Sequence, residues 1–229
     1  MVALKLVSQG KWDLDEPLDK YWVDPDLKNN TQTKLLTTRL VLSHQTGFPN
    51  WRDGKLAFKF TPGTQYQYSG EGFEYLRKAL VSKFKKSLNE LAAELIFEPL
   101  QMHDTNYVWG KNIDETRVAL GFDKEGNAYK TYKPKNENAA DDVHTTLKDY
   151  GTFLTSVLAG KDFSEEVFQQ MQTNQVASIN GKHFGLGFEK YDFKDGNYAL
   201  SHGGTDKGVQ TIFFIVPKTK QGVLIFTNV

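Results

Sequence analysis

Residues 183–227 read HFGLGFEKYDFKDGNYALSHGGTDKGVQTIFFIVPKTKQGVLIFT, and this stretch fixes the fold class. Its composition is that of short strands separated by turns, because aromatic and β-branched residues alternate with turn-forming pairs such as Asp195-Gly196. We therefore predict an antiparallel meander with four strand regions: Phe184 to Phe193, Tyr198 to Gly203, Val209 to Val216 and Gly222 to Thr227.

The chain before this stretch carries signals of helices. Ser87-Leu88-Asn89-Glu90 is a capping-box pattern, and Thr38, Thr146 and Ser164 each precede a helical pattern. The segment from Trp51 to Phe60 has no period and is predicted to be a loop. Helices followed by consecutive strands predict an α+β fold. We expect a single domain over 1–229, with a mainly helical and loop region over 20–180 and the antiparallel sheet over 183–229.

Composition excludes several classes of partner and chemistry. Lys plus Arg and Asp plus Glu both number 28, so the formal net charge is zero, which argues against a nucleic-acid partner. The chain has no cysteine, so disulfides, thiolate zinc sites and a cysteine nucleophile are excluded. No apolar run approaches the roughly 20 residues of a membrane span, and the histidines lack a metal-type spacing. We expect no cofactor and no metal.

Two short motifs could carry chemistry. Tyr68-Ser69-Gly70 lies at a predicted loop-to-helix junction, where a phenol would be held in fixed geometry. A phenol acts as a general base only when a neighbouring cation or dipole lowers its pKa. His202-Gly203-Gly204 ends a predicted strand, where glycines let a substrate backbone lie along the strand edge. His44 is predicted to be structural, pinning the turn before Gly47.

Six segments, in order, resemble the branch of the serine β-lactamase and penicillin-binding-protein superfamily that contains class C β-lactamases, D-Ala-D-Ala peptidases and family VIII carboxylesterases. The most specific is PLQMHDT at 99–105, which resembles P-L-G-M-x-D-T. The others are the helix end and turn at 4–15 (G-K-x-x-L-D-x-P in the family), LSHQTGFP at 42–49 (L-S-H-x-S-G-L-P), Tyr68-Ser69-Gly70 (Y-S-N), FGLGF at 184–188 (Y-G-L-G-W) and His202-Gly203-Gly204 (K-T-G or H-x-G).

The resemblance implies acyl transfer by a serine hydrolase on a β-lactam, an ester or a D-Ala-D-Ala-type peptide. A serine of an S-x-x-K motif attacks the carbonyl, and its lysine shares the proton with the motif tyrosine. By resemblance, Tyr68 takes the catalytic acid/base role and His202 the role of cation or donor in the third motif. Substrate contacts are expected at Ser69, Gly70, Gly203 and Gly204, although a helix cap is the more natural role for Ser69.

Two departures from the family pattern bear on activity. Gly70 replaces the asparagine that contacts the lysine and the substrate amide. Together with histidine rather than lysine in the third motif, this favours an esterase or peptidase over an efficient β-lactamase. The S-x-x-K motif is expected upstream of Met1, on a helix whose end is Val2 to Ser8. Ser8-Gln9-Gly10-Lys11 and Ser82-Lys83-Phe84-Lys85 fit the pattern by chance, at positions unsuited to a nucleophile. The chain as written is therefore expected to be inactive.

These departures leave a second hypothesis open, namely a non-catalytic binding or structural protein that retains the fold. By resemblance, the first strands and the last helix of the family lie outside the chain, and an extracytoplasmic, periplasmic location and a small-molecule or peptidoglycan-peptide ligand are expected. A sheet without those elements would expose apolar and unpaired backbone groups, so we expect an oligomer or a poorly soluble chain.

Overall fold

A computed structural model of the protein describes residues 1–110, 113–177 and 182–228. Helices occupy the first three quarters of the chain, and a sheet follows them. The α-helices are α1 (Val2–Ser8), α2 (Thr38–Leu42), α3 (Gly70–Phe84), α4 (Leu88–Ala92, continued by a π-helical turn Ala93–Phe97), α5 (Leu147–Ala159) and α6 (Glu165–Gln172). Single 3-10 turns lie at Leu18–Lys20, Pro25–Leu27, Thr31–Leu35 and Glu115–Arg117.

The predicted helix starts are largely confirmed. Ser87 and Glu90 form a reciprocal capping box at α4, and the side chains of Thr146 and Ser164 cap α5 and α6. The predicted cap at Thr38 was wrong by one residue, because Thr37 accepts the Leu40 N–H. Thr38 is instead the first helical residue, and its buried hydroxyl accepts a hydrogen bond from the Trp12 indole N–H at 2.7 Å.

The sheet is a continuous antiparallel meander in which spatial order equals chain order, from β1 to β6. Its strands are β1 (Val176–Ala177), β2 (Lys182–Phe184), β3 (Glu189–Asp192), β4 (Tyr198–Asp206), β5 (Val209–Val216) and β6 (Gln221–Thr227). The α+β prediction is confirmed. Two details were wrong: the sheet begins at Val176 rather than at residue 183, and the run 184–193 is split between two strands by a turn at 185–188.

One face of the sheet packs against the helices and buries the apolar core. Phe213 and Ile215 of β5 are 4% and 1% exposed, and the Phe213 ring lies 6.0 Å from the ring of Tyr150 on α5. The opposite face is open: Ile212, Val223 and Ile225 are between 37% and 49% exposed. Apolar surface of this kind is the feature that the sequence predicted for the sheet.

Two backbone hydrogen bonds fix the sheet onto the helical part beside the predicted site. The N–H of Gly187, in the turn between β2 and β3, donates to the carbonyl of Leu42 at the end of α2 (2.8 Å). The N–H of Leu186 donates to the carbonyl of Met171 on α6 (3.3 Å). The turn after α2, which contains His44, is thereby held against the sheet.

Candidate active site

The junction before α3 is built around Ser69, which caps the helix. The Ser69 hydroxyl accepts the Gly72 N–H at 3.0 Å and donates to the Pro49 carbonyl at 2.8 Å, and the residue is 1% exposed. A helix begins here because this cap satisfies a backbone donor that would otherwise have no partner. The hydroxyl proton is committed to Pro49 inside the protein. The capping role that the sequence favoured for Ser69 is confirmed, and its substrate contact stays a prediction.

Tyr68 projects from the same junction towards solvent and is 41% exposed. Its ring stacks on the imidazole of His44, with a centroid distance of 4.2 Å and an interplanar angle of 27°. The ring of His202 lies 6.3 Å away, at an angle of 40°. The two residues expected to be catalytic, which are far apart in sequence, thus lie side by side, with His44 behind the phenol.

The electrostatic surroundings of Tyr68 differ from the sequence-based expectation. Burial, followed by the Glu189 carboxylate, raises the pKa of Tyr68 above its ordinary value. The same two causes, in the same order, raise the pKa of Tyr66 to about 12. Neither cause is a cation, and the raised pKa keeps the proton on the Tyr68 phenol at neutral pH.

His44, which the sequence predicted to be only structural, is also part of the site. It is 2% exposed, and its Nδ1 accepts the Ser69 N–H at 3.1 Å, so the imidazole links the turn after α2 to the start of α3. Burial, with a smaller effect from His202, lowers the pKa of His44 to about 3 and keeps the ring neutral. The backbone of His44 is left-handed, at φ 56°. It does pin the turn, as predicted, but it also forms the aromatic wall behind Tyr68.

His202 lies on β4, opposite Phe213 of β5. Burial lowers the pKa of His202, and the Glu189 carboxylate and a hydrogen bond with the Gly203 backbone oppose this shift without cancelling it. Of the two roles considered for this residue, cation and donor, the lowered pKa favours the neutral donor.

The end of β4 beyond Ser201 has one unpaired edge within the described residues. β3 pairs with β4 only from Tyr198 to Ser201, whereas β5 pairs with β4 from Leu200 to Asp206. Gly203 and Gly204 are exposed on this extension, and a Cβ at Gly203 would lie 3.0 Å from the Thr211 carbonyl oxygen. On the β3 side, this extension of β4 has no strand partner among the described residues.

Gly70, the other expected substrate contact, is buried beneath the indole of Trp51. A Cβ at residue 70 would lie 2.7 Å from Cη2 of that ring. A side chain at this position would therefore collide with Trp51, and glycine is the residue that fits.

The two chance S-x-x-K matches are engaged elsewhere. Ser8 Oγ accepts the Ser164 N–H at 3.1 Å, and Ser82 Oγ donates to the Tyr21 carbonyl at 2.7 Å. Lys85 is the left-handed residue that ends α3. These contacts agree with their exclusion as nucleophiles. Among the residues that the structure describes, no cluster of acidic residues and histidines could hold a metal ion, and no helix is long and apolar enough to cross a membrane.

Comparison with known proteins places this geometry in a family. The sequence profile described as Beta-lactamase matches residues 1–229. Protein flp of Staphylococcus aureus (strain MW2) is 18% identical over 250 residues, which cover 100% of this chain and 50% of that protein. The chain thus spans about half the length of this curated relative.

Solved structures give the same result for the fold. The octameric penicillin-binding protein homologue from Pyrococcus abyssi superimposes with a TM-score of 0.82 at 21% identity, over 99% of this chain and 58% of that one. The D-amino acid amidase from Ochrobactrum anthropi SV3, complexed with D-phenylalanine, superimposes with a TM-score of 0.80 at 20% identity, over 99% and 81%. At these identities the likeness establishes the fold alone.

Proposed function

Because this chain belongs to the β-lactamase family, within the superfamily of serine β-lactamases and penicillin-binding proteins, we propose that it forms the proton-transfer and substrate-binding side of a serine acyl-transfer site. The observation that carries the proposal is the convergence of Tyr68, His202 and the unpaired edge of β4 at one place. The substrate would be an ester, a D-amino acid amide or peptide, or a β-lactam.

Tyr68 would act as the general acid/base of the reaction. Its raised pKa keeps the proton on the phenol, which suits donation to a leaving group. The opposite step, removal of a proton from a nucleophile, needs a lower pKa. An ammonium group beside the phenol would provide this, and in the family the lysine of the S-x-x-K motif is such a group.

His202 and the two following glycines would bind the acyl part of the substrate. A neutral imidazole has one N–H, which at His202 the Gly203 backbone and a carbonyl or carboxylate oxygen of the ligand would share. The backbone groups of the Gly203-Gly204 segment that point to the open edge would pair with an extended substrate, in the manner of an added strand. Donors held in place before the reaction stabilise developing negative charge without reorganisation.

We further propose that the chain alone turns over no substrate, because the serine next to Tyr68 and the serines of both S-x-x-K matches are engaged in structural hydrogen bonds. Ser69 donates to the Pro49 carbonyl, Ser82 donates to the Tyr21 carbonyl, and Ser8 accepts the Ser164 N–H. The same observation favours a second candidate function, a non-catalytic protein that binds an acyl or peptide ligand in the cleft. In either case we propose a single domain and an extracytoplasmic location.

Hydrolysis assays separate these proposals. The chain is incubated with p-nitrophenyl acetate and nitrocefin, and no turnover above buffer is expected. Turnover that disappears in Tyr68→Phe would refute the inactivity, and it would show that a nucleophile is present. The gene is then read upstream of residue 1 for an in-frame S-x-x-K segment.

If such a segment is present, the full gene product should hydrolyse one of the substrates. Tyr68→Phe in that product should lower kcat by roughly 10²- to 10⁴-fold, the usual contribution of general acid–base catalysis. Tyr129→Phe, at an exposed tyrosine that lies outside the proposed site, is the matched control and should leave kcat unchanged. An equal loss in both variants, or a Tyr68→Phe protein of full activity, would contradict the assignment of Tyr68.

A further inference from the structure

The loop from Trp51 to Phe60 brings one aromatic ring against the start of α3. A Cβ built on Gly70 would lie 2.7 Å from Cη2, 2.9 Å from Cζ2 and 3.0 Å from Cζ3 of Trp51. These three atoms form the outer end of the indole, so this end occupies the space where a side chain at residue 70 would begin. Gly70 is buried by this contact, yet Trp51 itself is 47% exposed. The ring covers the glycine and still presents surface to solvent.

Hydrogen bonds on both sides of Trp51 hold the ring in this place. The Asn50 side chain accepts the Gly70 N–H, and the Asn50 carbonyl accepts the Glu71 N–H, each at 2.9 Å. On the other side, the Arg52 N–H donates to the Glu71 carboxylate at 3.1 Å, and its guanidinium donates to the same carboxylate at 2.8 Å. The loop is therefore tied to the first turn of α3, two residues after Tyr68.

The presence of glycine instead of asparagine at residue 70 changes the kind of ligand group that this part of the cleft can bind. In the pattern that the chain resembles, an asparagine amide stands at residue 70, and it is suited to hydrogen-bonding an amide of the substrate. Here glycine offers no such group, and an indole fills the space. An aromatic face favours another ring or an apolar branch through stacking and burial rather than through hydrogen bonding.

We propose that Trp51 is a specificity-determining residue, and that it selects acyl substrates with an aromatic or bulky apolar substituent next to the scissile carbonyl. This inference rests on the proposed function, because it assumes that ligands occupy the cleft beside Tyr68. The exposed ring of Trp51 is the platform, and Gly70 is the residue that makes room for it.

A binding experiment on the chain itself tests this without requiring turnover. Two unreactive probes, N-phenylacetyl-glycinamide and N-acetyl-glycinamide, differ only in the phenyl ring, and their dissociation constants are measured by ligand-observed NMR titration. The phenylacetyl probe should bind roughly 3- to 10-fold more tightly, the ratio expected from one aromatic contact. Trp51→Ala should reduce this ratio to about 1 and leave the affinity of the acetyl probe within about 2-fold.

Two control variants separate this role from a general loss of structure. Trp51→Phe keeps an aromatic face and should retain most of the preference. Trp109→Ala removes a tryptophan whose ring contacts His144 and should retain all of it. A phenylacetyl preference that survives in Trp51→Ala overturns the assignment of Trp51 and leaves the proposed function intact. Failure of both probes to bind the unmodified chain overturns the proposed function together with this inference.

The geometry itself is tested by a double-mutant cycle on stability. Gly70→Asn should lower the midpoint of urea unfolding in the unmodified chain, because its Cβ meets the indole. In the Trp51→Ala background the same substitution should have a much smaller effect, since the space is then free. Equal effects in the two backgrounds would show that the ring does not fill the position of a residue-70 side chain, and would overturn the inference.

Discussion

Acidification should destabilise the protein through His44. This imidazole is 2% exposed, and its pKa is lowered from 6.5 to about 3 in the folded state. Between these two values the unfolded chain binds a proton at this site and the folded chain does not, so the free energy of unfolding falls as pH falls. The full difference corresponds to about 5 kcal/mol, reached only below pH 3. At pH 5 the loss is about 2 kcal/mol relative to pH 7.5.

The assay is urea unfolding followed by tryptophan fluorescence at pH 7.5, 6.5, 5.5 and 5.0. This range lies above the titration of carboxylates such as Asp15 and Asp104, whose pKa values are lowered mainly by hydrogen bonds from Arg39 and Arg117. The unmodified chain is compared with His44→Asn, because asparagine tolerates the left-handed backbone of this position. His202→Asn separates the contribution of the second histidine with a lowered pKa.

His44→Asn should be less stable at pH 7.5, because it loses the stack on Tyr68, but its stability should depend less on pH. The reasoning is refuted if the two proteins lose the same free energy between pH 7.5 and 5.0. If the variant does not fold, NMR titration of the unmodified chain decides the matter: the His44 ring signals should stay constant down to pH 5. A midpoint near 6.5 would contradict the burial argument.

Two further predictions concern stability and assembly. Arg52→Met should lower the free energy of unfolding by about 3 kcal/mol, since it leaves the carboxylates of Glu71 and Asp24, both less than 10% exposed, without their cation. Arg117→Met, which breaks an exposed pair, should change it by less than about 1 kcal/mol, and equal losses in urea unfolding would contradict this difference. The chain should self-associate with increasing concentration, and Ile225→Lys on the edge strand should shift sedimentation velocity towards monomer. If the unmodified chain sediments as a monomer at every concentration tested, association through the sheet is contradicted.

Local signals in the sequence were sufficient for much of the fold. The caps at Ser87, Thr146 and Ser164 act within four residues of themselves, so the sequence contains all that is needed to recognise them. The longer strands β4 and β5 were recognised from their aromatic and β-branched content. β1 and β2 are two and three residues long, too short for a period to be visible, and their start was missed.

The candidate site was predictable only where a motif marked it. Tyr68 and His202 were found as motif residues, but no local pattern places their rings 6.3 Å apart. The stack of His44 on Tyr68 depends on a left-handed backbone and on the packing of Phe184 from the sheet, both of which are long-range effects. The contact between Trp51 and Gly70 crosses a loop without periodicity, and it becomes visible only when the loop is folded.

The order of the strands in the sheet has a consequence for the way the chain folds. Within the described residues, each strand pairs with its neighbour in sequence, so the sheet forms through local pairings with little entropic cost. During synthesis each strand of this sheet can pair with the strand made just before it, so β1 to β5 can zip together while β6 is still being made. β6 then adds to an existing template, and the sheet grows by one hairpin at a time without waiting for a distant segment.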